Sequence, residues 1–277
     1  LEGGDLSIFW VIPFAGILLS IAIFPLVSPE YWHHNFGKIS AFWALLFVLP
    51  FLFSQGWQIV LYEILHVGLL EYIPFIILLL ALFTISGGVQ LTGSLVGTPI
   101  VNSAIILVGT LLASWMGTTG AAMLLIRPLL RANKDRKHKV HIVIFFIFLV
   151  ANIGGSLTPL GDPPLFLGFL KGVDFFWTTK AMFVPMLFMV ISLLIIFYFY
   201  DSFQYRKESD IPLPSNNEKI SIKGSFNLLL IFGVVCSVLL SGFWRPGIDF
   251  TIFHVHVELQ NLARDILLLA LAYLSWT

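Results

Sequence analysis

The sequence predicts an all-α polytopic membrane protein. Of its 277 residues, 58% are hydrophobic and only 11% are charged, whereas a soluble domain of this size exposes far more polar surface. Several apolar stretches also approach or exceed the ~20 residues with which a helix spans the hydrocarbon core of a bilayer. Together these observations predict a bundle of membrane helices.

Residues 1–98 are predicted to hold three spans and one helix at the membrane interface. The first span is Leu6–Val27, and a polar loop, Glu30–Lys38, separates it from a short second span, Ile39–Phe53. Charged and apolar residues mix in Trp57–Leu70, which is typical of an interfacial helix. The third span, Ile73–Val89, runs into a Gly/Thr/Ser-rich link.

The next segment predicts a re-entrant hairpin. An apolar arm, Ile100–Trp115, is broken by Gly117–Gly120 and followed by a second arm, Ala121–Leu130, and a basic run at 131–139. Ten residues of helix cover ~15 Å, about half of the ~30 Å core. The second arm is therefore too short to cross, and the hairpin is expected to enter and leave on one face, with its tip near mid-membrane.

A broken helix follows. The apolar stretches Val140–Val150 and Leu165–Leu170 flank the sequence ANIGGSLTPLGDPP at 151–164. Its glycines and prolines prevent a regular helix. Irregular backbone at membrane depth is tolerated only where protein buries it or where it lines a cavity, and paired broken elements indicate the binding site of a transporter.

The rest of the chain predicts more spans and a polar linker. Met182–Tyr200 and Phe226–Trp244 are spans joined by the linker Asp201–Gly224, and an amphipathic interfacial segment, Arg245–Arg264, precedes a last span that begins near Ile266. Because the sequence begins without Met and this last span is short, we expect a piece of a longer protein. With residue 1 outside, the basic loops 30–38, 131–139 and 201–224 face the cytoplasm, as the positive-inside rule requires.

Asp162 is the main candidate site residue in the broken helix. A carboxylate at the bilayer centre costs at least ~2.5 kcal/mol, so it needs a partner or a function. Carbonyls freed around Gly154, Gly155 and Thr158, with the Asn152 amide, can replace the hydration shell of a small cation. The alternative is that Asp162 only caps the helix beginning at Pro163.

The hairpin tip is the second candidate. Thr118 and Thr119 offer hydroxyls beside unpaired backbone groups, although a simple turn between helices would have the same sequence. Arg127, in the second arm, either pairs with Asp162, guides an anion or extends toward the interface.

Other classes of function find little support in the sequence. A zero formal net charge argues against a nucleic-acid partner. An intramembrane enzyme would need clustered ligands or a nucleophile–base pair, and the chain contains no H-E-x-x-H motif, so the protein is not expected to be an enzyme.

The sequence at 152–164, NIGGSLTPLGDPP, resembles the N-I-G-G-x-x-T-x-x-G-D-P-P motif of the ion transporter superfamily. That group includes NhaD-type sodium/proton antiporters, arsenite permeases, the melanosomal P protein, and citrate and dicarboxylate carriers. The resemblance implies two inverted repeats, each with a re-entrant hairpin and a broken helix, and a homodimer in lipid in which a mobile transport part moves against a scaffold.

On this resemblance the chain divides into four parts. Residues 1–98 are scaffold helices, 99–203 are the transport part, 204–224 are a cytoplasmic linker, and 225–277 begin the second repeat. The hairpin is 99–131 and the broken helix 139–171. The ion or substrate site implied is Gly117, Thr118, Thr119, Asn152, Gly154, Gly155, Thr158, Gly161 and Asp162, with Na⁺ at Thr118, Thr119, Asn152, Gly155 and Asp162.

The tip departs from the family pattern. Carboxylate carriers usually have Ser-Asn-Thr there, whereas Met116–Thr119 lacks the Asn, and Leu165 replaces an Asn that follows the double Pro in many relatives. The sequence therefore favours a sodium/proton antiporter of the inner membrane, with no cofactor besides the coupling ion. A sodium-coupled citrate or dicarboxylate carrier is the alternative.

Overall fold

A computed structural model describes residues 7–208 and 221–276. Within these residues, seven helices are long and apolar enough to cross a membrane, and strands form only two short two-stranded ribbons. The all-α prediction is thus confirmed. The helices are α1 Ile12–Val27, α2 Pro29–Gln55, α3 Trp57–Val67, α4 Ile73–Gly87, α5 Pro99–Met116, α6 Thr118–Ala132, α7 Val140–Phe146, α8 Pro163–Leu170, α9 Trp177–Arg206, α10 Ser225–Phe243 and α11 Leu259–Trp276.

The first compact unit comprises Leu1–Val67 and Phe253–Val255. Helices α1 and α2 pack against each other in it. The Trp43 indole donates a hydrogen bond to Ser20 Oγ (3.0 Å), and Ser20 donates to the Gly16 carbonyl (2.7 Å). Gly16 lies under the Trp43 ring, where a Cβ would overlap the ring, so its small size permits the two helices to pack closely.

The predicted polar loop Glu30–Lys38 is wrong, because these residues belong to α2. Pro29 begins that helix, in the first turn where a missing N–H costs nothing. The polar side chains then bond within the helix: His34 Nδ1 contacts the Glu30 carbonyl (2.8 Å), and Asn35 donates to the Tyr31 carbonyl (3.0 Å). The polar residues 30–38 therefore form the first turns of a long helix and not a loop.

The predicted helix from Trp57 is confirmed as α3, which passes through a π-helical segment, Gly68–Tyr72, into α4. Its interfacial position stays a prediction.

The second compact unit comprises Gly68–Ile252 and His256–Thr277. In its core α4 packs against α6, α10 and α11, and α5 packs against α6 and α9. Leu78 and Ile85 of α4, Ile106 of α5 and Phe166 of α8 are almost completely buried there. This core supports both the hairpin and the broken helix.

The helical hairpin is confirmed, but the break at its tip is shorter than predicted. Only Gly117 separates α5 from α6, because Thr118–Gly120 already belong to the helix. The second arm consequently has 15 residues, about 22 Å of rise, which is still less than the ~30 Å core. Re-entry into the membrane stays a prediction.

The broken helix is also confirmed. Helix α7 changes to a π-helical segment, Ile147–Asn152, then to a 3₁₀ helix, Ile153–Leu157. A non-helical turn at 158–162 precedes α8. The glycine pair at 154 and 155 is therefore helical, and the true interruption lies further along, before the double proline.

The predicted linker is partly wrong. Helix α9 continues to Arg206 and includes Asp201, while the linker residues 209–220, with Asp210, Glu218 and Lys219, lie outside the described residues. The linker ends in strand β2 (Ser221–Lys223), which pairs antiparallel with β1 (Gln90–Thr92). Strands β3 (Asp249–Ile252) and β4 (Val255–Glu258) form the second ribbon within the predicted amphipathic segment.

Candidate functional site: the hairpin tip and the broken helix

The hairpin tip and the turn of the broken helix are in direct contact. The Thr118 N–H donates a hydrogen bond to the Gly161 carbonyl (3.2 Å). Gly117 has a φ of +79°, a left-handed value that glycine adopts without cost, and this conformation reverses the chain between α5 and α6. The two breaks that the sequence predicted separately therefore form one structure.

Close packing of glycines holds the turn together. A Cβ on Gly161 would overlap the backbone of Gly155, and a Cβ on Gly155 would overlap the Thr118 methyl group and the Gly161 backbone. Since a side chain at either position would force the turn away from the 3₁₀ helix, or that helix away from Thr118, these two glycines are needed for the close packing of the turn.

Ser114, which was not among the predicted site residues, connects α5 to the broken helix. Its hydroxyl donates to the Gly154 carbonyl (2.5 Å) and accepts from the Leu157 N–H (3.3 Å). Thr158 is buried and donates its hydroxyl proton to the Ser114 carbonyl, while accepting from the Leu160 N–H (3.2 Å). Ser114 was missed because an isolated serine in an apolar arm gives no signal in one sequence.

A cleft of ≈ 450 Å³ opens at the tip, between α4, the start of α6 and the turn. We call it the tip cleft. Its wall is mostly apolar, with Leu78, Leu82 and Phe166 among the lining residues, and its polar side chains are Thr118, Thr119 and Asp162. None of the lining residues described is basic.

The Asp162 carboxylate has no partner among the described residues. The backbone carbonyl of Asp162 accepts the N–H groups of Leu165 (3.1 Å) and Phe166 (3.3 Å), as a helix N-cap does. Its side chain, however, makes no capping hydrogen bond and is exposed. The capping alternative therefore accounts for the backbone of Asp162 and leaves its charge facing the cleft.

The predicted site residues fall into two groups. Gly117, Thr118, Thr119, Gly161 and Asp162 all line the tip cleft. The other predicted residues do not line the cleft. Gly154, Gly155 and Thr158 are buried in the broken helix, and the Asn152 side chain donates a hydrogen bond to the Ile147 carbonyl (2.8 Å). Arg127 makes no ion pair with Asp162 and lines a different cavity.

A buried polar cluster at the opposite end of the hairpin was also missed. Asp201 is 0% exposed and accepts hydrogen bonds from Asn102 (2.9 Å) and His141 (2.8 Å). Arg136, 3% exposed, forms an ion pair with it (2.7 Å). Arg136 and Asp201 were predicted to lie in cytoplasmic loops, because a charged residue beside other polar residues gives no sign of burial.

The same cluster joins four elements of the second unit. Asn133, at the end of α6, donates to Asn102 of α5 (2.7 Å). The side chain of Arg136 also donates to the Gly97 carbonyl (3.2 Å) and lies 3.6 Å from the Glu208 carboxylate. The base of the hairpin, α7 and α9 are therefore fastened together through side chains.

Residues 3–277 match the model of a family described as "Putative citrate transport". The chain belongs to this family. No curated protein and no solved structure matches it. Membership of the citrate transport family, with seven helices able to span a membrane, makes the chain a multi-pass membrane transporter rather than an enzyme, and agrees with the superfamily that the 152–164 motif resembles.

Proposed function

We propose that this chain is part of an ion-coupled carrier of citrate or a similar carboxylate, with the coupling cation bound in the tip cleft. The observation that carries the proposal is the match to the citrate transport family along nearly the whole chain. The tip cleft supports it, since a hairpin tip and a broken helix meet there around a free carboxylate. On this proposal the sodium/proton antiporter becomes the second candidate.

The negative charges of citrate and of Asp162 explain why transport of citrate would require a bound cation. Citrate is a trianion when fully ionised, and the described residues lining the tip cleft include the Asp162 carboxylate and no basic side chain. Two like charges in a cleft of low dielectric repel each other strongly. A cation held by Asp162, with the hydroxyls of Thr118 and Thr119 as further oxygen ligands, would remove this repulsion and allow the anion to enter.

Sodium/proton antiport is favoured by the same free carboxylate. Asp162 lies in the cleft without an ion-pair partner, so a proton and Na⁺ could compete for it. Reciprocal coupling between the two ions would follow from the shared site. Sodium/proton antiport proceeds without an organic anion, whereas the carboxylate carrier requires one. The need for citrate therefore distinguishes the two functions.

The experiment uses the full-length protein reconstituted in liposomes that contain a pH-sensitive dye. Labelled citrate uptake is measured with Na⁺ or with choline outside, for wild type, Asp162→Asn and the control Asp135→Asn. Asp135 is an exposed carboxylate in the loop after α6, outside the tip cleft. We expect sodium-dependent citrate uptake, reduced at least about tenfold in Asp162→Asn by loss of a charged ligand and unchanged in Asp135→Asn.

One result would contradict citrate transport, and another would contradict its coupling to Na⁺. Sodium-driven proton movement without citrate, absent in Asp162→Asn, would establish antiport instead. Citrate uptake that is equal in choline and in Na⁺ would show that Na⁺ is not the coupling ion.

A further inference from the structure

A second cavity, of ≈ 680 Å³, lies beside the second half of α6. We call it the base cavity. It is lined by the end of α4, by β1 and by the part of α6 that runs from Met123 to Arg131. Its volume falls in the range of small-molecule sites, about 300–1,000 Å³. Its charged lining residues are two arginines, Arg127 and Arg131, and none of the described lining residues is acidic.

The two arginines are one helical turn apart and therefore project from the same side of α6. Arg131 is held at the rim of the cavity, where Nη2 donates to the Leu91 carbonyl (2.8 Å). Arg127 is exposed and has no hydrogen-bond or ion-pair partner in the described ranges 7–208 and 221–276. Like charges at this spacing repel, so an anion between them would relieve that repulsion.

The β1–β2 ribbon adds a third positive charge. Gln90 lines the base cavity, and Lys223 is its directly paired residue in the antiparallel register. Side chains of directly opposite residues lie on the same face of a ribbon. The exposed Lys223 therefore projects on the same face of the ribbon as Gln90, next to the cavity, although it does not itself line it.

We propose that the base cavity is a binding site for a carboxylate anion, in which citrate from the cytoplasm is held before it reaches the tip cleft. Guanidinium groups bind carboxylates through paired hydrogen bonds, and two of them suit a ligand with several carboxylates. Arg127 follows Thr119 by just over two turns of α6, about 12 Å along the helix axis. This proposal rests on citrate transport as the function and on the cytoplasmic position of the hairpin base.

The phosphate of an anionic lipid headgroup has the same recognition chemistry. The test therefore measures binding without transport and compares both anions. With Cys236 and any other cysteine of the full-length protein replaced by Ser, Leu130→Cys places a thiol in the cavity wall, and its alkylation is followed in zwitterionic liposomes. Citrate at a few times its Kd should slow alkylation about fivefold, following 1 + [L]/Kd. Glycerol phosphate at the same concentration should slow it clearly less, because its single anionic group cannot engage both guanidinium groups as several carboxylates can.

Adding Arg127→Gln should abolish this protection, while Lys137→Gln should preserve it. Lys137 is an exposed base in the loop after α6 and does not line the cavity. Alkylation that citrate leaves unchanged would overturn the proposal. Protection that depends on phosphatidylglycerol in the liposomes, and not on citrate, would assign the cavity to a lipid headgroup.

Transport provides the second measurement. In inside-out vesicles, Arg127→Gln should raise the KM for citrate about tenfold, as expected for one lost guanidinium contact, with kcat nearly unchanged. In right-side-out vesicles the same variant should change the KM less than about twofold, because citrate enters from the other face. Equal changes on both faces would contradict a cytoplasmic holding site. If wild type carries no citrate, the proposed function fails, and alkylation still tests the base cavity.

Discussion

The tip cleft and the base cavity lie along the same two helices, α4 and α6, and carry opposite charges. Asp162 is the charged residue of the tip cleft, whereas Arg127 and Arg131 are the charged residues of the base cavity. About 12 Å of α6 separate Thr119 from Arg127. On the proposals above, the anion meets positive charge first and then needs a cation to approach the tip. Cation and anion would then bind at separate points of one hairpin.

The two ends of the hairpin are also held in different ways. At the base, buried side chains form a connected network around Asp201. At the tip, contact depends on backbone groups and on glycines too close together to carry side chains. The base is therefore expected to determine stability, and the tip to determine transport.

The largest effect is expected at the base. Asp201→Ala removes the nearer partner of a buried ion pair and leaves Arg136, with a side chain 1% exposed, with only the more distant Glu208 carboxylate at 3.6 Å as counter-charge. Loss of one partner of a buried pair costs about 3–5 kcal/mol, so the free energy of unfolding of the full-length protein should fall by that amount. Unfolding in a denaturant titration measures it.

Asp135→Ala is the control for this prediction, because Asp135 is exposed and lies 4.0 Å from Lys134. Its effect should stay within about 0.5 kcal/mol, as for most surface substitutions. If Asp201→Ala is as mild as the control, the cluster does not anchor the base and the contrast between the two ends is lost.

A smaller effect is expected at the tip. Gly161→Ala places a methyl group against the Gly155 carbonyl and should move the turn away from Thr118. Overpacking of this kind costs about 1–3 kcal/mol, so sodium-dependent citrate uptake should fall at least about tenfold, with the protein still folded.

The matched control is Gly168→Ala in α8, where an added Cβ would be 3.8 Å from the nearest side chain, Val173, an ordinary contact. Uptake measured side by side in liposomes should be normal for Gly168→Ala. Equal uptake by both variants would show that the turn does not need its close contact with the tip.

The sequence predicted the two breaks better than it predicted the ends of the helices. Both breaks were found because glycine and proline act locally and because the motif at 152–164 is long. Local polarity gave wrong predictions where tertiary packing determines the structure. Residues 30–38 were predicted as a loop and are helical, and Asp201 is buried although it begins a polar stretch. Ser114 and the ribbon that pairs Gln90 with Lys223 depend on partners that are distant along the chain, which no local pattern indicates.

The smallest predicted effect is that of ionic strength on the base cavity. Raising choline chloride from about 0.01 M to 0.15 M shortens the Debye length from ~30 Å to ~8 Å. Since Arg127 and Arg131 are exposed, screening should raise the KM for citrate about threefold in inside-out vesicles of wild type. In Arg127→Gln the KM for citrate should depend clearly less on salt, because this variant already lacks one of the two guanidinium charges that attract the anion. An identical salt dependence in wild type and variant would mean that citrate reaches the tip cleft without passing these arginines, and the two charged regions would then serve unrelated purposes.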